Sequence, residues 1–169
     1  TLLLSSSLLI PVSSLLMPIY RIMTKVGLYD TKTSLIIVYA ALGLPTSLFV
    51  IKSYIQSIPM ELEESAYLEG ASFSKAYFTI IFPIAKSGIA ASAILQFLTS
   101  WNEFMFALVL TKSNSARTLP LALSYFTSQF SFNYTAMFAA LTMVILPSII
   151  IFTILQEQIT GSMVEGSVK

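Results

Sequence analysis

Three apolar runs, each about as long as a membrane-spanning helix, constrain the fold of this chain more than any other feature. They cover roughly residues 34–54, 84–101 and 135–155, and about 20 helical residues cross the roughly 30 Å of hydrocarbon in a bilayer. Charged residues make up only 10% of the chain, against about 25% in ordinary soluble domains, and the mean hydropathy is +0.82. The sequence therefore predicts an all-α integral membrane protein, built as a bundle of transmembrane helices.

A fourth apolar run, residues 2–23, predicts a partial first span that Pro11 and Pro18 interrupt. Prolines are tolerated in membrane helices and often kink them. The chain opens at Thr1 inside this run, without the basic region or the cleavage site of a signal peptide. We therefore expect a natural start upstream, and we interpret residues 1–169 as one transmembrane domain that is incomplete at its N-terminus.

Missing residue types exclude several classes of function. The chain has no cysteine and no histidine, so it lacks a disulfide framework, a cysteine zinc site and the usual general base. It also lacks the G-x-x-x-x-G-K-[ST] phosphate loop of ATPases. Its net charge of +1 implies no attraction to nucleic acid. We therefore predict no catalytic residues, no metal site, no cofactor and no enzymatic activity.

One polar stretch, which we call the acidic loop (residues 58–83), separates two of the apolar runs. It carries half of the eight acidic residues in the chain, namely Glu61, Glu63, Glu64 and Glu69. Carboxylates are very costly inside hydrocarbon, so this loop must lie outside the bilayer.

The acidic loop has the pattern of two helices with a break between them. Pro59 suits a first helical position, and Gly70 can end a helix by turning the chain. Ser72 is a suitable N-cap for a second helix, which has an apolar stripe at helical spacing. The stripe consists of Phe73, Tyr77 and Ile80 or Ile81. Pro83 is predicted to mark the start of the next long helix.

The acidic loop resembles the EAA signature of ABC importer permeases. That signature reads E-A-A, three residues, G, nine residues, I, one residue, then L-P. This chain matches the spacing with Glu64-Ser65-Ala66, Gly70, Ile80 and Phe82-Pro83. Ser65 and Phe82 depart from the alanine and the leucine of the signature. The resemblance implies the type I ABC importer permease fold, in which the loop is a cytoplasmic two-helix coupling loop that docks into a cleft on an ATPase subunit.

The same resemblance assigns roles within the acidic loop. Glu64 is expected to pair with a basic group on the ATPase, Ala66 to pack closely against it, and Gly70 to shape the turn. Ser65 and Pro83 complete the predicted coupling residues. On composition alone, an interfacial helix pair that only links two spans is the alternative, because charged loops between membrane helices are common.

The run Trp101-Asn102-Glu103-Phe104 follows the second of the three apolar runs. One interpretation is a helix end with an anchoring tryptophan; the other is that Asn102 and Glu103 line the external mouth or gate of a polar path. The run resembles the carbohydrate-type subclass of these permeases. Residues 104–110 are apolar but too short to span a bilayer, so we expect a re-entrant or interfacial segment.

The run Thr118-Leu119-Pro120 is also similar to the carbohydrate-type permeases, and it is predicted to open a short helix that reaches about residue 129. Aromatic residues near this helix could stack on sugar rings or sit in the membrane interface. They are Tyr125, Phe126, Phe130, Phe132 and Tyr134.

The predicted tail, residues 156–169, ends in SMVEGSVK and resembles the ending of maltose-type permeases. That resemblance implies a second ATPase contact, at Gly166 and Lys169; the alternative is a disordered terminus. By the positive-inside rule, the cytoplasmic side of a membrane protein carries an excess of lysine and arginine. The side that holds the acidic loop has no such excess. The resemblance alone therefore places the acidic loop and the C-terminus in the cytoplasm, in a multi-pass protein of the cell (inner or plasma) membrane.

Taken together, these resemblances imply a permease subunit of an ATP-driven, maltose-type, binding-protein-dependent sugar importer. The implied partners are cytoplasmic ATPase subunits that bind the ATP, a second permease subunit, an extracytoplasmic solute-binding protein, the sugar and the lipid bilayer. A permease for another solute (an amino acid, a metal or phosphate) is an alternative, and a passive channel or scaffold is another. A membrane-embedded enzyme would need convergent ionisable groups, and no base or metal set accompanies Glu103.

Overall fold

The computed structural model describes residues 6–124 and 134–165, with side chains up to residue 156. The described part is helical and contains no β-strand. Its α-helices are α1 (Leu16–Lys25), α2 (Lys32–Gln56), α3 (Met60–Leu68), α4 (Phe73–Ala76), α5 (Phe82–Trp101), α6 (Met105–Leu110), α7 (Leu119–Leu123) and α8 (Tyr134–Glu165). A 3-10 turn (Val12–Leu15) precedes α1, and a π-helical turn (Tyr77–Ile81) joins α4 to α5.

Three helical segments of the described part are long and apolar enough to cross a membrane. They are Lys32–Gln56, Phe73–Trp101 and Tyr134–Gln156. Between 6% and 28% of the residues in their most apolar stretches are buried within the chain, so most of this apolar surface is left for lipid or for other helices. The predicted three complete spans are confirmed.

The predicted partial first span is interrupted at Pro11, as expected, but not at Pro18. Among the described residues, the 3-10 turn Val12–Leu15 is followed by α1, which has only ten residues, or about 15 Å of helix. Pro11 has an extended backbone (φ −60°, ψ 120°) immediately before the 3-10 turn, and its ring nitrogen cannot donate a helical hydrogen bond. Pro18 is tolerated because it lies in the first turn of α1, where N–H groups have no intrahelical partner.

The chain divides into two compact units. Unit 1 comprises Thr1–Pro45 and Phe97–Ile151, and unit 2 comprises Thr46–Gln96 and Phe152–Lys169. The core of unit 1 is built around α6, whose Phe106, Ala107 and Leu110 are 2%, 0% and 0% exposed. They cluster with buried residues of α1, α2 and α7: Met23, Leu35, Val38 and Leu121. The short apolar segment predicted at residues 104–110 is therefore a core helix.

Unit 2 contains a close approach between the end of α2 and α5. A Cβ added at Gly88 would lie 2.3 Å from Cγ and 2.5 Å from Cβ of Tyr54, far inside ordinary van der Waals contact. Gly88 is buried in α5. Only a residue without a side chain lets the two helix segments pack at this distance, as small residues do in membrane helix packing.

Candidate functional site

The first half of the acidic loop folds as the predicted helix, with its start shifted by one residue. Pro59 is the N-cap of α3 (φ −57°, ψ 132°), and Met60 is the first helical residue. The shift costs nothing, because the N-cap position does not need the N–H group that proline lacks. Glu61 and Glu63 lie in the first turn, where the helix dipole favours negative charge.

The break after α3 has the geometry that the sequence predicts. Gly70 has φ +81°, and two hydrogen bonds close the helix end. The Gly70 N–H donates to the Tyr67 carbonyl (3.0 Å), and the Ala71 N–H donates to the Ala66 carbonyl (2.9 Å). This pair is the Schellman pattern, which satisfies carbonyls left open at a helix end.

Ser72 caps the second helix, as predicted. Its hydroxyl oxygen accepts a hydrogen bond from the Lys75 backbone N–H at 3.4 Å, and its backbone is extended at ψ 160°. The turn between α3 and α4 is therefore fixed from both sides, by the Schellman bonds before it and by this cap after it.

Two of the predicted coupling residues differ sharply in exposure. Glu64 is exposed, whereas Ala66 is only 5% exposed and packs inside unit 2. Ser65 is exposed, and its hydroxyl donates to the Leu62 carbonyl at 3.1 Å. The roles of these residues toward a partner stay predictions. The exposed surface of α3 includes its acidic side chains and Leu68, beside the less exposed Met60, Leu62 and Tyr67.

Leu68 was not singled out in the sequence, although it is 90% exposed. It follows Glu61 and Glu64 at helical spacing, so the three residues share one face of α3. An apolar residue this exposed beside carboxylates is a suitable contact for a partner. Leu68 lies within the matched signature, between Glu64 and Gly70, so the sequence placed it in the acidic loop. The spacing of the signature did not predict how exposed its side chain is.

The neighbouring face of α3 carries a hydrogen bond between Tyr67 and Glu63. The Tyr67 hydroxyl donates to Oε1 of Glu63 at 2.8 Å. This hydrogen bond to the carboxylate raises the pKa of Tyr67 above its usual value, because loss of the proton would break the bond.

The predicted apolar stripe lines a groove in unit 2. Phe73 and Tyr77 stack with ring centroids 6.3 Å apart, and Ile81 continues the stripe. The groove encloses about 430 Å³. Its remaining walls are Ile55, Gln56, Ile58, Pro59, Met60 and Glu63. The stripe is thus confirmed, with Ile81 rather than Ile80 as its third member in the groove.

The long helix α5 begins at Phe82, one residue before the predicted start at Pro83. Pro83 is the second residue of α5 and is exposed, but helical backbone is continuous from Phe73 to Trp101. The π-helical turn Tyr77–Ile81 lies directly before it. A proline inside a helix lacks one hydrogen bond and crowds the carbonyl four residues earlier, and a wider π turn at that place accommodates both effects.

The run Trp101-Asn102-Glu103-Phe104 connects α5 to α6 through a set of hydrogen bonds within unit 1. The Trp101 indole N–H donates to the Val144 carbonyl of α8 at 2.9 Å. The Asn102 side-chain amide donates to the Leu98 carbonyl at 2.8 Å. Both bonds are typical of a helix end that is anchored to its neighbours, which supports the first of the two interpretations.

Glu103 has three hydrogen bonds to its carboxylate. The Tyr39 hydroxyl donates to Oε2 at 2.7 Å. The backbone N–H groups of Phe106 and Ala107 donate to Oε1 and Oε2, at 2.7 and 3.1 Å. A gate role for Asn102 and Glu103 stays a prediction.

Sequence reasoning missed Asp30. Its Oδ1 accepts hydrogen bonds from the backbone N–H groups of Lys112 (2.7 Å) and Ser113 (2.8 Å), and from the Ser113 hydroxyl (3.0 Å). The two backbone bonds hold the pKa of the Asp30 carboxyl below its usual value. Asp30 also has a left-handed backbone (φ 60°), which aspartate tolerates better than most residues. A lone aspartate in a turn carries no sequence signal for a partner 82 residues away.

Several predicted residues lie outside the part of the chain that the structure describes. They are the tail residues Gly166 and Lys169 and the aromatic residues Tyr125, Phe126, Phe130 and Phe132. Tyr134 is described and exposed, and its ring stacks on Phe138 with centroids 6.5 Å apart.

Comparison with known proteins gives the family. Residues 2–164 match the family described as binding-protein-dependent transport system inner membrane component. The chain is 39% identical over 160 residues to a putative ABC transporter permease protein, ORF2, of Caldicellulosiruptor sp. (strain Rt8B.4), which covers 95% of this chain and 58% of that protein.

Two relatives are named for their solutes. One is the trehalose transport system permease protein SugB of Mycobacterium tuberculosis, with 34% identity over 173 residues that cover 99% of this chain and 63% of that protein. The other is the arabinooligosaccharides transport system permease protein AraQ of Halalkalibacterium halodurans, with 33% identity over 162 residues that cover 96% and 57%. The chain spans about three fifths of the length of these three relatives. This integral membrane chain therefore belongs to the family of binding-protein-dependent transport system inner membrane components.

Proposed function

We propose that the chain is the membrane-spanning permease part of an ATP-driven sugar importer, and that its acidic loop couples it to a separate ATPase. Relatives named for trehalose, arabinooligosaccharides and diacetylchitobiose transport support a sugar as the solute. No relative reported above is named for an amino acid, a metal or phosphate, so these alternative solutes are not favoured.

One observation carries the proposal: the acidic loop is a braced helical pair whose second helix continues without interruption into a membrane span. The helical segment Phe73–Trp101 has 29 residues, or about 44 Å at 1.5 Å per residue. The Schellman bonds at Gly70 and the cap at Ser72 fix the turn that precedes it. A force applied at α3 is therefore transmitted along a stiff rod rather than absorbed by a flexible linker.

The exposed face of α3 is the surface we assign to the ATPase. It carries Glu64 and the 90% exposed Leu68, and the acidic loop holds four carboxylates against one basic residue, Lys75. A partner cleft with a basic group and an apolar floor would complement it. Closure of the ATPase would then move the acidic loop as one body, and the helix after it would change the access of the solute to the path.

The remaining partners follow from the family. A binding-protein-dependent system needs a solute-binding protein, an ATPase and a second permease subunit, and we propose that this chain contacts all three. ATP is bound by the ATPase, because this sequence has no phosphate loop. We further propose that the acidic loop and the tail face the cytoplasm of a cell or inner membrane, and that Gly166 and Lys169 give a second ATPase contact.

Sugar uptake by the full-length protein tests this proposal. The protein is reconstituted in proteoliposomes with its ATPase, second permease and binding protein, and uptake and ATP hydrolysis are measured together. Glu64→Ala is expected to lower uptake about tenfold or more, the value of one charge-assisted hydrogen bond, while ATP hydrolysis and membrane insertion persist. Glu69→Ala makes the same charge change at the end of α3 and serves as the matched control.

Two results would contradict the proposal. Uptake by Glu64→Ala equal to that of the wild type removes the coupling role of the acidic loop. Uptake that proceeds equally well without the ATPase or without ATP identifies a passive channel instead.

A further inference from the structure

The helix α6 is tied at both ends by carboxylates that come from outside it. Glu103 precedes the helix and bonds to its first turn, and Asp30 bonds to the residues that follow its last turn. Between the two ties, Phe106, Ala107 and Leu110 are almost fully buried. Such double fixation is unusual for a connection of this length, since short loops between helices normally run over a surface.

The tie at Glu103 joins three parts of unit 1. The carboxylate accepts the N–H groups of Phe106 and Ala107, which have no partner within α6 because they lie in its first turn. Its Oε2 also accepts the hydroxyl proton of Tyr39, which belongs to α2. Hydrogen bonds to an ionised group are about twice as strong as neutral ones. Glu103 therefore fastens the start of α6 to the span α2.

The tie at Asp30 fastens the other end of α6 to the residues just before α2. The Asp30 N–H donates to the Leu110 carbonyl at 2.9 Å, while its carboxylate accepts from Lys112 and Ser113. Asp30 lies two residues before Lys32, the first residue of α2. One end of α6 is thus held to Tyr39 in α2, and the other end to Asp30 just before α2.

We propose that Glu103 and Asp30 are positioning residues that make residues 103–113 one rigid body with the start of α2. Glu103 on this account does not line a path; its three bonds are used to hold a buried helix. In the importer, which is the proposed function on which this consequence rests, the segment travels with α2 and does not open as a separate lid. An independent lid would have to break, in every cycle, the five hydrogen bonds that join residues 103–113 to Tyr39 and Asp30.

The first test uses a disulfide at the Asp30 tie. The side-chain atoms Asp30 Oδ1 and Ser113 Oγ are 3.0 Å apart, so these two positions are chosen for the cysteines, and formation of the disulfide is verified by mass spectrometry before the assay. The 169 residues contain no other cysteine, which leaves the pair without competitors in this region. Full-length Asp30→Cys/Ser113→Cys is assayed for sugar uptake after oxidation and again after reduction, with each single variant as a control.

The rigid-body account predicts that oxidation leaves uptake within about twofold of the reduced protein or raises it, because the disulfide restores the tie that the substitutions removed. A segment that opens as a lid would instead lose its function when the disulfide locks it. If oxidation abolishes uptake and reduction restores it, residues 103–113 open independently and the proposal is wrong.

The second test needs neither the ATPase nor a sugar. Amide hydrogen exchange is measured on the full-length protein in detergent for the wild type, Glu103→Gln and Asn102→Ala. Glu103→Gln removes the negative charge and one of the two acceptor oxygens, which should speed exchange of the Phe106 and Ala107 amides by about tenfold to a hundredfold. Asn102→Ala changes the neighbouring residue, whose side chain bonds to Leu98, and should leave those two amides unchanged.

If the Phe106 and Ala107 amides exchange equally fast in Glu103→Gln and in the wild type, Glu103 does not fasten α6, and this holds for any outcome of the transport assay. Conversely, a wild-type protein that shows no ATP-driven uptake would remove the proposed function, while faster exchange in Glu103→Gln would still support the tie. The two failures are therefore distinguishable.

Discussion

Replacing Gly88 by alanine tests the packing of unit 2, because the close approach to Tyr54 decides whether the free energy of unfolding rises or falls. In an unobstructed helix interior this change stabilises by about 1 kcal/mol, because alanine has the higher helix propensity. At Gly88 the new Cβ would lie 2.3, 2.5 and 2.8 Å from Cγ, Cβ and Cδ1 of Tyr54. A rotamer change moves Cγ and Cδ1 but not the Cβ of Tyr54, so the helix backbones must separate.

The structure gives the magnitude of this effect. Overpacking of a close-fitting site costs about 1–3 kcal/mol, and a contact with an atom fixed to the backbone belongs in the upper half of that range. After subtraction of the gain in helix propensity, we expect Gly88→Ala to lower the free energy of unfolding by about 1–2 kcal/mol.

Equilibrium unfolding of the full-length protein in mixed detergent and SDS micelles, followed by circular dichroism, measures this change. On a Tyr54→Ala background two of the three clashing atoms are absent, so Gly88→Ala should be less destabilising there, with a coupling energy of about 1 kcal/mol or more. A Gly88→Ala protein that is more stable than the wild type, or equal effects on both backgrounds, would refute the close approach.

Two further predictions concern turns outside the spans. Gly70→Ala should lower the free energy of unfolding by about 1–2 kcal/mol through the left-handed backbone alone, since φ is +81° and nothing lies within 4 Å of an added Cβ. Gly70→Asn should lose less stability in the same assay, because asparagine tolerates this backbone better than alanine. Equal losses of stability in the two variants would argue for a steric cause. The pKa of the Asp30 carboxyl is below its usual value of 3.8 in the folded protein, so its contribution to stability is present above that value and is lost as the pH falls through the lower folded pKa. Unfolding free energies measured at about pH 5 and pH 3 should therefore fall more for the wild type than for Asp30→Asn, and equal falls would show that Asp30 has no such role.

The membrane architecture was predictable from the sequence because it depends on composition and length. Hydrocarbon forces backbone groups to bond within a helix, so an apolar run of the right length gives a span. The helices α2 and α5 lie within two residues of the predicted bounds. The helix α8 begins one residue before its predicted start but continues to Glu165, through the first ten residues of the predicted tail. The turn at Gly70 and the cap at Ser72 were predictable for a related reason, since each depends on one residue type at one backbone geometry.

The prolines show what residue type alone does not specify. Residues 2–23 were predicted as a partial span that Pro11 and Pro18 interrupt, and among the described residues the helix is interrupted at Pro11, whereas Pro18 lies inside α1. At Pro83 the long helix α5 begins one residue early, at Phe82, and the π turn before it keeps the helical backbone continuous with α4. Both outcomes depend on how neighbouring residues satisfy the backbone bond that proline removes, which residue type alone does not specify.

The ties at Glu103 and Asp30 could not be predicted from the sequence at all. The sequence indicated Glu103 only as an acidic residue at the end of a span. Its hydrogen-bond partner Tyr39 lies 64 residues away in the sequence. Long-range hydrogen bonds depend on the tertiary packing of α6 against α2, and a single sequence contains no pairing signal for them.

Photo-crosslinking from the exposed face of α3 tests the central claim most directly. A photoreactive amino acid replaces Leu68, which is 90% exposed at the end of α3, and the full-length protein is irradiated in intact cells. The same amino acid at Ile154, which is 68% exposed within the span of α8, is the matched control. We predict a crosslink from position 68, but not from position 154, to a protein that carries an ATP-binding phosphate loop. A crosslink from position 68 only to lipid or to a protein outside the cell, or accessibility of position 68 to an impermeant reagent added outside, would contradict the account.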